Sequence, residues 1–196
     1  MMNRTLFNID FFRNIRLVFQ PRLWIPDLQI SSILDLRKNL PRRIEGLVFD
    51  VDQTILPYGE NDVSETIIDE IRILKANYAC CLLSNYPKSL TRMKRLKEIE
   101  NRVSIPLIIS NRKKPDPEPF HAAITHLKGK GQNIAIIGDR ILTDILGGNN
   151  VGLTTVLVKP LKPKSDPFVW VTIPRLIEQL FFQLIIHLKG RNIHET

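Results

Sequence analysis

The sequence predicts an α/β fold: a doubly wound, Rossmann-like parallel sheet with helices on both faces. Three observations lead there. From residue 44 onward, short continuous apolar runs alternate with longer amphipathic stretches. Strands that are apolar throughout and separated by helices belong to a sheet covered on both sides. Several of these runs end in, or lead into, polar residues able to do chemistry, and right-handed crossovers gather such strand ends at one edge of the sheet.

The expected strands are 44–49, 78–83, 105–109, 133–137 and 154–158. The expected helices lie between them. Residues 62–76 place Ile67, Ile71 and Leu74 on one face, with Asp62 or Ser64 as the cap. Residues 89–99 form a basic helix with Leu90, Met93 and Leu96 inward. Residues 119–127 form a third helix and 143–149 a helical turn. Two flanks surround this core. Within 5–20, Phe7, Phe11, Ile15 and Val18 make an apolar stripe, with Arg13, Arg16 and Gln20 on another side. A prolyl segment, 21–26, then carries Trp24 between basic and apolar neighbours; the stretch fits an interfacial membrane contact with aromatics at headgroup level, or a helix docked on the core or on another subunit. At the other end, 174–188 reads as a helix with Leu176, Ile177, Leu180, Phe181, Leu184 and Ile185, widened by Phe182 and Ile186, and Gly190 as its stop. The expected organisation is therefore 1–43 as an amphipathic basic segment, 44–160 as the core, and 161–196 as a helical extension.

A chain of 196 residues is one domain with room for terminal additions. Its formal charge of +8 favours a polyanionic partner: anionic lipid, nucleic acid or a phosphorylated substrate. Two cysteines, Cys80 and Cys81, are adjacent in an apolar run, so they read as buried thiols in a reducing compartment and exclude a Cys-based zinc site. No stretch reaches the roughly 18 apolar residues of a membrane span, and the start lacks a secretory signal pattern. An Arg-bearing organelle-targeting segment is compatible with it.

The chemistry centres on residues 47–54, Leu-Val-Phe-Asp-Val-Asp-Gln-Thr. In extended chain, Asp50, Asp52 and Thr54 share a face. Two crowded carboxylates call for a cation or a shared proton. That is one reading; an Asp-rich turn with Asp52, Gln53 and Thr54 as turn and cap residues is the other. The next strand ends in Ser84-Asn85, the third leads into Lys113-Lys114-Pro115-Asp116-Pro117, and the fourth ends in Gly138-Asp139-Arg140 with Asp144 beyond. Hydrolysis of a phosphate ester needs a nucleophile, an acid/base, groups for phosphate oxygens, and acidic metal ligands. Each of these is found near one of the four strand ends.

In this order, the motifs resemble those of the haloacid dehalogenase (HAD) superfamily of phosphatases across about residues 44–160. The segment from Phe19 to Leu23 with Pro26, and the run Gly138-Asp139-Arg140-Ile141-Leu142-Thr143-Asp144, further resemble the YqeG-type branch, which includes mitochondrial and plastid phosphatidylglycerophosphatases. The resemblance implies Asp50 as a nucleophile forming an aspartyl-phosphate, and Asp52 as the acid/base. It implies that Thr54, Ser84, Asn85 and Lys114 face the phosphoryl group, with Lys113 the rival lysine. It also implies Mg²⁺ held by Asp50, the Asp52 carbonyl, Asp139 and Asp144. Gln53 stands where Asn or Gly is more usual. The gaps from Asp52 to Ser84 and from Ser84 to Lys114 leave no room for a lid (cap) domain.

The expected function is Mg²⁺-dependent dephosphorylation of phosphatidylglycerophosphate at a membrane surface, without a spanning helix. The expected location is cytoplasmic and peripheral to the membrane, or the matrix or stroma face in an organelle. A homo-oligomer through the terminal helices is compatible. Two alternatives stand beside it: a phosphatase of soluble or protein-borne phosphates, and a non-catalytic nucleic-acid or ribosome binder. The intact acidic motif and the lack of an aromatic-interleaved basic module disfavour the second.

Overall fold

A computed structural model describes residues 15–85, 89–162, 176, 178–183 and 185. Six parallel strands form one sheet in the order β1-β6-β5-β2-β3-β4: β1 Leu28–Ile30, β2 Gly46–Phe49, β3 Ala79–Asn85, β4 Leu107–Ser110, β5 Ile134–Gly138 and β6 Thr154–Val158. The chain winds outward from β2 through β3 to β4. It returns to β5 on the other side of β2 and continues to β6. The order therefore reverses between β2 and β5, and a crevice opens at their C-terminal ends.

The helices are α1 Ile15–Val18, α2 Leu36–Asn39, α3 Glu65–Lys75, α4 Leu90–Val103, α5 Pro117–Leu127 and α6 Leu146–Asn150. Side chains alternate along β2: Leu47 and Phe49 join a core with Ile71 and Leu74 of α3 and Leu96 and Ile99 of α4. Val48 faces the opposite layer with Phe120 and Ala123 of α5. All four β2 residues are buried. Both faces are covered, which is why the strands read as continuous apolar runs.

Four expectations are corrected. The strand β1 lies inside the segment expected to flank the core, pairing Leu28 with Val156 and Ile30 with Val158. Its three residues are too few to display a period. Helix α4 runs to Val103, a turn beyond the expected end, and buries Leu96, Ile99 and Val103 while Leu90 is exposed. Leu90 is the first residue after the Ser89 cap, so it precedes the turn that packs on the sheet. Of the two readings of the Trp24 segment, the lipid-headgroup contact gives way to docking on the core: Trp24 is buried with Ile141, Leu146 and Phe182, and its indole N–H donates to the Val18 carbonyl at 2.9 Å. In the C-terminal helix, Glu178 and Phe182 face the core, whereas Leu176, Leu180 and Phe181 of the expected stripe are exposed. An ion pair from Glu178 to the core sets that rotation, described below. Phe7, Phe11, Arg13, Ile177, Leu184, Ile186 and Gly190 lie outside what the described residues and side chains cover.

Ser64 occupies the cap position of α3 without a side-chain hydrogen bond. Cys80 and Cys81 are buried and unbridged. Burial pushes both thiols up to about 12. The thiolate is the reactive form, so a thiol-specific disulfide reagent at neutral pH should label neither cysteine in the native protein, and both after denaturation. Rapid labelling of folded protein would contradict the burial.

Candidate active site

Asp50 is the first residue past β2, and its backbone N–H donates to the Ile137 carbonyl of β5 at 2.8 Å. The extended backbone ends there. Gln53 has φ of 64°, a left-handed conformation that costs a non-glycine residue about 1–2 kcal/mol. This explains why Asn or Gly is the usual occupant. Here Gln53 compensates through its amide: Nε2 donates to the Lys162 carbonyl and Oε1 accepts from the Lys162 N–H, both at 2.8 Å. It ties the loop after β6 to the loop after β2.

The turn also separates the three residues expected on one face. Asp50 and Asp52 line a cavity of about 80 Å³ with Gln53, Ser84, Asn85, Lys114 and Asp139, room for a few water molecules at about 30 Å³ each. Thr54 is not among its lining residues. It is buried, with its hydroxyl lacking a hydrogen-bond partner. The alternation argument therefore fails for Thr54, because the chain leaves the strand conformation before reaching it.

Of the two candidate lysines, Lys114 is the one buried among the strand ends. Its ammonium donates to Asp50 Oδ1 at 2.5 Å, to Asp144 Oδ1 at 2.6 Å and to the Leu83 carbonyl at 3.3 Å. Lys113 is partly exposed. Asn85 does not reach toward a phosphate in this state: its Oδ1 accepts from the Lys114 backbone N–H at 2.9 Å and so fixes where the lysine side chain starts. The Ser84 hydroxyl turns to its neighbour's carbonyl at 3.5 Å. The short π-type turn Ile141–Ile145 brings Asp144 back to the strand end, where its Oδ2 accepts from the Arg140 N–H and the Thr143 hydroxyl, both at 3.2 Å. Gly138 permits this return. A Cβ on Gly138 would lie 2.4 Å from the Asp144 carboxyl carbon.

Carboxylate oxygens of Asp50, Asp139 and Asp144 lie within 4.8 Å of one another. Burial pushes the Asp50 carboxyl up to about 7, against the pull of Lys114 and with a further push from Asp144. Burial alone would lower the Lys114 ammonium, but Asp144 and Asp50 outweigh it and keep it charged. Three clustered carboxylates thus face one ammonium. A hard divalent cation fits both the oxygen donors and the surplus negative charge.

Sequence reasoning missed several neighbours. Tyr58, Arg92, Arg140 and Thr143 also line the cavity. Asp52 is held by two arginines of α4: Arg95 to Oδ1 at 2.7 Å and Arg92 to Oδ2 at 3.3 Å. Their i, i+3 spacing on a helix following Ser84 was the available signal. Arg140 pairs with Glu178 at 2.7 Å. Nothing in the sequence marks Glu178 among the apolar residues of the tail.

A family model described as mitochondrial PGP phosphatase matches residues 11–162. The chain belongs to this family. It is a phosphatase. YqeG of Bacillus subtilis, described as a probable phosphatase, is 28% identical over 151 residues, 76% of this chain and 84% of that protein. The mitochondrial phosphatidylglycerophosphatase GEP4 of Saccharomyces cerevisiae is 26% identical over 166 residues, 78% of this chain and 88% of that one. The HAD hydrolase fold recurs in a magnesium-bound Bacillus subtilis protein, YfnB, at 18% identity and a TM-score of 0.51 over 66% of this chain and 91% of that one. A HAD phosphatase from Thermococcus onnurineus superposes equally well at 16% identity, over 63% of this chain and 89% of that one. The binder-only expectation gives way to this membership of a PGP phosphatase family.

Glu178 is 2% exposed at the side chain. Glu178→Ala would leave Arg140 without its buried partner, so it should destabilise the protein by about 3 kcal/mol. Chemical denaturation measures this, and a change under 1 kcal/mol would show that the C-terminal helix is not tied to the active site.

Proposed function

We propose that this phosphatase uses Asp50 as a nucleophile with Mg²⁺ and removes the terminal phosphate of phosphatidylglycerophosphate at a membrane surface. The observation that supports the chemistry is Lys114 held against Asp50 and Asp144, beside Asp139, where the sheet order reverses. The substrate reading draws on the relatives named as acting on this lipid.

Asp50 attacks phosphorus, and the bond to the leaving glycerol oxygen breaks while Asp52, in its protonated form for this step, gives that oxygen its proton and becomes the carboxylate. Asp52 then takes a proton from water, which attacks the phosphorus of the aspartyl-phosphate. Asp50 is released as a carboxylate with inorganic phosphate. Lys114 neutralises Asp50 and the incoming phosphoryl oxygens, so two anions can approach. Ser84, which lines the cavity, would hold a phosphoryl oxygen. Asp50, the Asp52 carbonyl and Asp139 would hold Mg²⁺, with Asp144 behind them. When bound, the ion polarises the phosphoryl group and offsets charge developing in the transition state.

Access favours a large or surface-bound substrate. Among the described residues, only α3 lies between β2 and β3, and only α4 between β3 and β4, so no lid covers the cavity. Phe19, Leu180 and Phe181 are exposed, and Phe181 packs its ring on Trp24 with centroids 5.9 Å apart. With exposed Arg16 and Arg22, this apolar and basic surface suits an anionic bilayer. It replaces Trp24 as the membrane contact. Among the described residues no helix is long and apolar enough to cross a membrane.

Asp50→Asn should abolish turnover. It removes a buried carboxylate whose folded-state pKa is raised. Such a group costs stability as pH climbs from its unfolded value toward about 7, so the variant should melt no lower than wild type at neutral pH without added metal. Residual activity within tenfold of wild type would reject Asp50 as the nucleophile. In mixed micelles, phosphatidylglycerophosphate should be hydrolysed faster than soluble sugar phosphates, and a chelator should stop the reaction. Faster turnover of the soluble compounds would point to the soluble-phosphate alternative.

A further inference from the structure

Beside the catalytic cavity lies a groove of about 460 Å³, lined in part by Asp52, Tyr58, Arg92, Lys94 and Arg95. Asp52, Tyr58 and Arg92 border both spaces, so the two are continuous. We propose that this groove is a subsite for a second, non-reacting phosphate of the substrate, held by Arg92 and Arg95 one glycerol unit from the phosphorus that reacts. The inference rests on the proposed substrate, which carries a phosphodiester as well as the terminal monoester.

Charge is the first argument. Two guanidiniums converge on the single carboxylate of Asp52, which leaves one positive charge uncompensated next to the cavity. Lys94 and Glu98 also line the groove, but they pair with each other at 3.9 Å, so the surplus there remains one positive charge. A substrate bearing only one phosphate would meet Lys114 and the metal site and have no use for this surplus.

Rigidity is the second. Arg95 is only 10% exposed at the side chain, and its Nε donates to the Glu60 carbonyl at 2.7 Å. One arm of its fork is spent on Asp52 and the chain, and the remaining N–H groups have no partner among the described residues. Guanidinium presents five donors in a fixed plane that matches phosphate oxygens in pairs. Arg92 is 40% exposed and its Asp52 contact is longer, at 3.3 Å, so it can share its donors with an incoming anion.

Position is the third. Both arginines come from α4, one turn apart, and α4 begins directly after the strand end that presents Ser84. The same fold element that borders the catalytic cavity therefore aims a basic surface along the path by which the rest of the substrate leaves it. An arginine pair whose sole work was to hold Asp52 would not require an open groove on its far side.

The test compares two substrates in neutral detergent micelles with Mg²⁺: short-chain phosphatidylglycerophosphate, and dodecyl phosphate, an amphiphilic monoester without the second phosphate. Wild type should prefer the first in kcat/KM. In Arg92→Ala and Lys94→Ala that preference should fall, by about tenfold for Arg92, mainly through KM for the lipid. Equal losses on both substrates would mean that the arginines only position Asp52, and would overturn the subsite. So would a wild-type enzyme that handles both substrates alike, which leaves the phosphatase reading intact. Stimulation of dodecyl phosphate turnover by added phosphatidylglycerol, lost in Arg92→Ala, would assign the groove to a neighbouring lipid instead and also overturn it. Failure of wild type to hydrolyse either compound would remove the proposed function, and the subsite with it.

Discussion

The Lys114 ammonium, buried between the carboxylates of Asp50 and Asp144, is the contact on which the rest of the site depends. An unpaired ammonium or carboxylate at that depth would cost several kcal/mol. The ammonium is tolerable because carboxylates meet it on two sides, and Asp144 still pairs it when Asp50 is neutral. The positions of the three groups are set by three separate strand ends, so the pairing also fixes where those loops begin. Asn85 holds the lysine backbone, Gly138 lets Asp144 approach, and the β5 carbonyl of Ile137 anchors Asp50.

One lysine does not balance the cluster. Asp139 adds a third carboxylate within 4.8 Å, and burial, with a further push from Asp144, raises the Asp50 carboxyl to about 7. The site is therefore poised for positive charge that the chain does not itself supply in full. Evolving a better-neutralised site would stabilise the fold and weaken the proposed nucleophile, a trade-off common at catalytic centres. The periphery works differently. Arg92 and Arg95 overcompensate Asp52, so the surplus there is positive. A cation-seeking centre beside an anion-seeking rim suits a phosphate ester with a second anionic group.

Much of this was legible in the chain. Five of the six strands, the parallel sheet and the four polar strand ends follow from continuous apolar runs and their polar stops, because burial on both faces leaves that pattern directly. Lys114 was separable from Lys113 only by resemblance, since both carry the same charge and one residue of register decides which is buried. Thr54 was misplaced because alternation assumes extended backbone, and Gln53 breaks it with a positive φ. The strand β1 was too short to show a period. Trp24 and Glu178 eluded local reasoning because each is explained by a partner distant in sequence: Trp24 packs with Phe181 and Phe182, and Glu178 meets Arg140. An amphipathic stripe ranks residues by polarity, and a buried ion pair reverses that ranking.

The central claim, that the carboxylate cluster around Lys114 is built for a divalent cation, is tested most directly by thermal unfolding with and without Mg²⁺. Binding to the folded state alone raises stability by mass action, about 2.7 kcal/mol at a hundredfold excess over Kd. The account predicts a concentration-dependent rise in Tm for wild type that is lost in Asp139→Asn, whose fold should otherwise persist. No rise in wild type, or an equal rise in the variant, would contradict it.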